Sequence, residues 1–159
     1  MRVALGSDHA GFALKGVVAK HLADAGHEIL DLGTDSEEAV DYPSFCAATG
    51  RAIVAGEADL GVVLGGSGQG EQIAANKVHG VRAALCTNEF LARLAREHND
   101  ANVLALGSRI LGDELALRIV DAFMEASFEG GRHARRIGQL VEIEEQECRE
   151  TTKEGRADE

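Results

Sequence analysis

The stretch Leu60–Lys77, LGVVLGGSGQGEQIAANK, decides how the rest of the chain is read. It opens with a short apolar run, Leu60 to Leu64, of strand length and rich in β-branched residues. Glycines follow at positions 65, 66, 68 and 70, then Glu71-Gln72-Ile73-Ala74-Ala75-Asn76, mostly good helix formers. The order is buried strand, glycine loop, helix start. Glycines let the backbone take positive φ and let a ligand come close. N–H groups at a helix start suit an anion or a developing oxyanion. Ser67 adds a hydroxyl and Glu71 a carboxylate. A cradle for negative charge beside a carboxylate points to proton abstraction next to a carbonyl, with the enolate oxygen held by backbone N–H groups. The competing reading is a tight strand-to-helix turn without a ligand. The glycines leave the two about even, and Ser67 and Glu71 tilt the balance towards chemistry.

Two familiar phosphate loops are excluded. A P-loop ends in Gly-Lys-Ser/Thr, whereas this loop ends Gly70-Glu71-Gln72. The dinucleotide spacing G-x-G-x-x-G is not met by Gly66-Ser67-Gly68-Gln69-Gly70, and Glu71 would repel a pyrophosphate.

The same alternation recurs on either side. Val3-Ala4-Leu5 reads as the first strand, followed by Ser7-Asp8-His9-Ala10-Gly11 and a helix with apolar positions Phe12, Leu14, Val17, Val18 and Leu22. Ser7 or Asp8 is its candidate cap, and Gly26 its stop. Glu28–Leu32 is strand two. A polar, acidic loop over 34–41 leads to Asp41-Tyr42-Pro43 and a helix running to about Ala55, with Pro43 in its first turn and Gly56 at its end. Val81–Leu85 reads as strand four. Asn88 can cap a helix with apolar face Leu91, Leu94 and Ala95, ending near His98-Asn99. Val103–Leu106 is strand five, closed by Gly107-Ser108-Arg109. Leu115–Met124 is helical, and a last helix runs from Gly131 or Arg132 to near Arg149. Strand and helix thus alternate five times without a hairpin signal. That pattern predicts an α/β fold: a doubly wound five-stranded parallel sheet, Rossmann- or flavodoxin-like, with helices on both faces and a C-terminal helix. The expected strand order is 2-1-3-4-5. It puts the loops Ser7-Asp8-His9 and Gly65–Glu71 on one crevice.

One α/β domain over residues 1–141 is expected, including most of the last helix, with 142–159 as helix end and acidic, disordered tail. From Glu142 to Glu159 there are eight acidic and three basic residues, and no large apolar one after Ile143. A net charge of −11 over 159 residues argues against nucleic acid as a partner. No apolar run approaches the roughly 18 residues of a membrane span, so no membrane partner is expected. Met1-Arg2 leads at once into a strand rather than a signal peptide. Cys46, Cys86 and Cys148 are widely spaced and odd in number, which suits a reducing compartment; the cytoplasm is the expected location.

Asp8 and His9 follow strand one at the carboxyl end, where ligands bind in this class. Alone they read as a cap and a surface histidine; beside the glycine loop they read as site residues. His98 is a candidate acid–base group, or simply a histidine placed well for a helix dipole, with Asn99 as its αL cap. Arg109 sits after strand five. Arg132 and Arg136 are four apart and share a helical face suited to phosphate, or to solvent and nearby acids, while Arg135 points elsewhere. The six histidines and three cysteines show no ligand spacing, so no metal is expected.

Taken together, Gly6-Ser7-Asp8-His9-Ala10-Gly11, Asp41-Tyr42-Pro43, the loop Gly65–Lys77, Arg96-Glu97-His98-Asn99 and Arg132-His133-Ala134-Arg135-Arg136 make the chain resemble the type B ribose-5-phosphate isomerases, and the wider family that includes galactose-6-phosphate isomerase subunits. The match runs from Met1 to about Leu140. The resemblance implies interconversion of an aldose and a ketose phosphate through an enediolate, without metal or cofactor, in a homodimer or homotetramer whose sites are shared between subunits. It also implies Glu71 as the base, with Ser67 and the N–H groups of Gly66, Gly68, Gln69 and Gly70 as the enediolate cradle. Asp8 and His98 would assist ring opening, His98 as proton donor. His9, Asn99, Arg109, Arg132 and Arg136 would hold the substrate, the arginines mainly its phosphate. Many members carry a cysteine base just ahead of the loop. Here that residue is Gly65, which places the chain with the actinobacterial-type, glutamate-base branch.

Ribose 5-phosphate and ribulose 5-phosphate are the expected pair. The rivals are the same chemistry on allose 6-phosphate, galactose 6-phosphate or a four-carbon phosphate, and a non-catalytic phosphate- or nucleotide-binding module. The module would need neither Glu71 nor His98.

Overall fold

Side chains alternate across a strand, and here each central strand divides its residues between two helical layers. The computed structural model describes residues 1–154, with side chains to residue 148. Its five parallel strands are β1 (Arg2–Ser7), β2 (Glu28–Asp31), β3 (Leu60–Gly65), β4 (Ala83–Leu85) and β5 (Val103–Gly107). Six helices separate and follow them: α1 (Phe12–Asp24), α2 (Tyr42–Val54), α3 (Gln69–Ala75), α4 (Glu89–Asn99), α5 (Asp113–Glu125) and α6 (Arg132–Glu154).

Val3, Leu5, Val62, Leu64, Leu104 and Leu106 face α1, α4 and α5, where they pack with Leu14, Val18, Leu22, Ala92, Ile119 and Phe123. The opposite face carries Ala4, Val63, Val103 and Ala105 against α2 and α3. Large side chains on one face and smaller ones on the other let α2 and α3 come close to the sheet. Each fully buried large side chain contributes about 1.5–3 kcal/mol relative to exposure.

The α/β doubly wound fold class stands, but the strand order is β2-β1-β3-β5-β4 and not 2-1-3-4-5. Strand length and burial decide the exchange. β4 has 3 residues and is buried only at Ala83, so it suits an edge; β5 is buried at all 5 of its residues and pairs on both sides. β1 and β3 remain neighbours, so the crevice between their loops survives. The exchange also brings the end of β5 beside the glycine loop. Ser108 N–H donates to Gly65 O at 2.8 Å and Arg109 N–H to Gly66 O at 3.0 Å.

Asn88 caps α4, its Oδ1 accepting from Leu91 N–H at 2.9 Å. The αL residue ending α4 is Asp100 at φ 44°, not Asn99. The helix buries Ala92 and Ala95, while Leu91, expected on the apolar face, is 42% exposed. α6 continues to Glu154, and the part of the expected tail over 155–159 lies outside the described residues. No helix is long and apolar enough to cross a membrane among the described residues.

Candidate active site

β3 delivers the chain to the carboxyl edge, and Gly65 begins the turn. Gly68 takes φ +80°, a left-handed value that a side chain would strain, and α3 starts at the next residue. The turn throws Glu71 back under the loop. Its side chain is buried at 4% exposure. A Cβ built on Gly65 would overlap Glu71 Oε1, so the carboxylate occupies the space any side chain at 65 would need.

Around it opens a cleft of about 480 Å³ lined by Asp8, His9, Ala10, Tyr42, Gly66, Ser67, Gly70, Glu71, Arg109 and Ile110. Asp8, buried at the end of β1, accepts from Gly11 N–H at 3.0 Å, which tethers its carboxylate at the start of α1. His9 Nδ1 lies 3.2 Å from the backbone N and O of Val40, so the acidic loop before α2 orients the ring. Ser67 is exposed at the mouth, its Oγ accepting from Gln69 N–H at 3.3 Å. The Arg109 guanidinium lies over Gly66, where a Cβ would stand 3.2 Å from its NH1 nitrogen.

A glutamate at a helix start is expected to ionise easily and so to be a weak base. Burial reverses that balance. Desolvation raises the Glu71 pKa, with the Asp8 charge adding to it, and outweighs the hydrogen bonds from the Glu71 and Gly68 backbone N–H groups that lower it. α3 has only 7 residues, so little helix dipole opposes the effect. Cys46, buried behind the site, has its thiol pushed up to about 12, chiefly by desolvation and then by Glu71 and Asp8, and is no rival nucleophile.

The model of the ribose/galactose isomerase family matches residues 3–140. The chain belongs to that family. A ribose-5-phosphate isomerase B of Mycolicibacterium paratuberculosis is 51% identical over 146 residues, 91% of this chain and 92% of that protein. The ribose-5-phosphate isomerase B structure from Clostridium thermocellum has TM-score 0.91 and 52% identity, covering 92% of this chain and 99% of that one. The Mycoplasma genitalium enzyme of the same name, solved with ribulose 5-phosphate bound, has TM-score 0.86 and 41% identity, covering 91% and 96%.

In this ribose/galactose isomerase the expected site residues fall into two groups. Asp8, His9, Gly66, Ser67, Gly70, Glu71 and Arg109 line the cleft; Gly68 lies buried beneath it and Gln69 faces solvent outside it. His98, Asn99 and Arg136 line a second pocket of about 420 Å³ with His133, Ile137, Gln139, Leu140 and Ile143. No residue lines both pockets. Arg132, exposed at the start of α6, reaches the second group through His133. Sequence reading missed Tyr42, whose ring packs against Gly70 in the cleft wall. Its place in Asp41-Tyr42-Pro43 is the available signal, used above for the helix start and the family resemblance but not for a site role. It also passed over Glu129 and the burial of His133.

Proposed function

We infer that the chain interconverts ribose 5-phosphate and ribulose 5-phosphate by proton transfer through an enediolate, with Glu71 as the base. The observation that carries this reading is the buried Glu71 carboxylate, its pKa raised, at the wall of a cleft that Gly66, Ser67 and Gly70 of the glycine loop also line. Asp8 takes the anomeric hydroxyl proton while His98 gives one to the ring oxygen, so the bond from C1 to the ring oxygen breaks and the C1 aldehyde forms. Glu71 then takes the C2 proton of the open aldose, and the C2–H electrons form the C1=C2 bond while the carbonyl oxygen gains the charge. Ser67 and the loop N–H groups hold that oxygen. The C2 hydroxyl proton passes to the charged C1 oxygen, the C2–O electrons form the ketone, and the C1=C2 electrons take the proton back from Glu71 at C1, which gives the ketose. No cofactor takes part in this sequence. With Gly65 in place of a thiol and Glu71 filling its space, the glutamate-base branch is the reading favoured here.

The second pocket supplies its residues to the cleft of another copy. His98, Asn99, Arg132 and Arg136 belong to a different surface from Glu71, and Arg132 and Arg136 are exposed like phosphate ligands awaiting a site. Exposed Ile73, Phe90, Leu91 and Ile110 support burial against a partner. The working enzyme is therefore at least a homodimer with shared sites. A reducing cytoplasm suits the buried free thiols Cys46 and Cys86.

The test uses inactive Glu71→Gln and His98→Asn proteins, mixed and re-equilibrated through mild dissociation. Shared sites predict that turnover of ribose 5-phosphate returns, because each mixed dimer holds one site with both native residues. A mixture as inactive as its components would sink the shared-site reading. Full activity in Glu71→Gln alone would remove Glu71 as the base.

A further inference from the structure

The start of α6 carries one buried residue that the chemistry above does not use. His133 is 5% exposed, whereas Arg132, Arg135 and Arg136 around it are exposed. Its ring lies flat on that of His98, with centroids 4.2 Å apart and planes 8° from parallel. On its edge, Arg132 Nε–H donates to His133 Nε2 at 3.4 Å. Arginine keeps its protons, so that bond requires a bare Nε2, and the ring must be neutral with its proton on Nδ1.

The surroundings favour the same state. His98 faces the ring from α4, Glu129 from the segment before α6, and Arg132 and Arg136 from α6 itself. Burial first, then His98, Arg132 and Arg136, hold the His133 pKa below the ordinary histidine value, and Glu129 only partly opposes them. A neutral ring can lie against His98 whether or not His98 carries a proton; two imidazolium rings at that distance would repel. Glu129 Oε2 stands 3.8 Å from His98 Nε2 and 3.7 Å from His133 Nε2. The ligand atoms of the three residues all lie within 4.8 Å of one another, close enough to suggest a cation site. The geometry speaks against one. Parallel stacked rings do not converge their lone pairs on one point, and Arg132 already uses that of His133.

We propose that His133 is a positioning residue of the isomerase: its neutral ring sets the plane of His98 through stacking and aims the Arg132 guanidinium through Nε2. It thereby ties the proton donor to a phosphate arginine within one half-site. The inference rests on the reading of His98 as donor and Arg132 as phosphate ligand.

Two substitutions separate the functions. His133→Phe keeps an aromatic face for His98 and loses the acceptor; His133→Gln keeps an acceptor oxygen and loses the face. With ribose 5-phosphate as substrate and folding checked by circular dichroism and melting, His133→Phe should raise KM about 10-fold with kcat nearly kept. His133→Gln should lower kcat about 10-fold with KM nearly kept. Wild-type kinetics in both, or the same KM and kcat change in both, overturns the inference. Long-range proton–nitrogen NMR of the wild type near neutral pH gives a second reading that no unstable variant can spoil. A bare Nε2 on His133 supports the inference and a protonated Nε2 overturns it. His98→Asn and Arg132→Ala separate the levels. Wild-type kcat in the first or wild-type KM in the second removes the underlying reading, and this inference with it. Losses there with unchanged His133 variants overturn the inference alone.

Discussion

The cleft around Glu71 is cut into the carboxyl edge of the sheet, where every residue of β3 and β5 is buried. The pocket around His98 and Arg136 lies on α4 and α6, among residues that include exposed Leu140 and Ile143. The first is held by backbone pairing and by packing, and its carboxylate has been forced into a space that only glycine at 65 leaves open. The second is held by one stacked pair, one backbone hydrogen bond from Glu129 N–H to Glu97 O at 3.0 Å, and a few longer contacts. Under the proposed function, the group that must be tuned sits where burial can tune it, and the arginines assigned to phosphate sit where water, or a partner, can reach them.

The sharpest way to break this contrast is Glu71→Gln. Loss of a general base predicts a fall in kcat of about 10²- to 10⁴-fold, measured with ribose 5-phosphate in chelator-treated buffer. Gly65→Ala attacks the same group indirectly. The added methyl overlaps the carboxylate, so Glu71 must turn away, and kcat should fall about 10²-fold while a crystal structure shows the carboxylate displaced. An unmoved Glu71 with full activity would separate Gly65 from the base.

On the other pocket the expected effect changes kind. Arg136→Ala should raise KM about 10- to 100-fold with a much smaller change in kcat, since it removes a charged hydrogen bond to phosphate. An unchanged KM would count against a phosphate role.

Glu71 also makes a prediction about stability. Unfolded, it ionises near the ordinary 4.5; folded, burial puts its pKa higher. Between the two the native state binds more protons than the unfolded one, so stability falls as pH rises through that window, and the loss persists above it. Glu71→Gln removes the penalty. The variant should melt higher than wild type at neutral pH and show a flatter dependence of Tm on pH above 4.5. Identical Tm–pH curves would mean that the buried carboxylate carries no such cost. The smallest expected effect is that of thiol reagents. With the Cys46 and Cys86 thiols buried and pushed up to about 12 and 11, brief treatment should leave turnover intact, and inactivation that substrate prevents would reopen a cysteine role.

The cleft positions of Glu71, the glycine loop and the residues after β1 were legible because each belongs to a short segment whose meaning is local. A buried strand, a run of glycines and a helix start need no distant partner to be recognised, and Asp8 and His9 follow a strand end by the same logic. Tyr42 was hidden because it enters the cleft from α2, well away in sequence from the loop it packs against. His133 was hidden by its neighbours. A histidine among three arginines reads as a solvated face, and only contact with His98 and Glu129 buries it.

By itself the sequence determined the alternation of strands and helices, the turn at Gly65–Glu71, and the residue types available for chemistry, because periodicity and backbone preference act over a few residues. Tertiary structure decided the rest. It placed β5 inside β4, since a fully buried strand belongs at the centre and a short, half-exposed one at the edge. It raised the pKa of Glu71, since desolvation depends on everything packed around a carboxylate. And it divided the site residues between two surfaces, since which side chains share a cavity is set by how whole elements pack, which no single segment encodes.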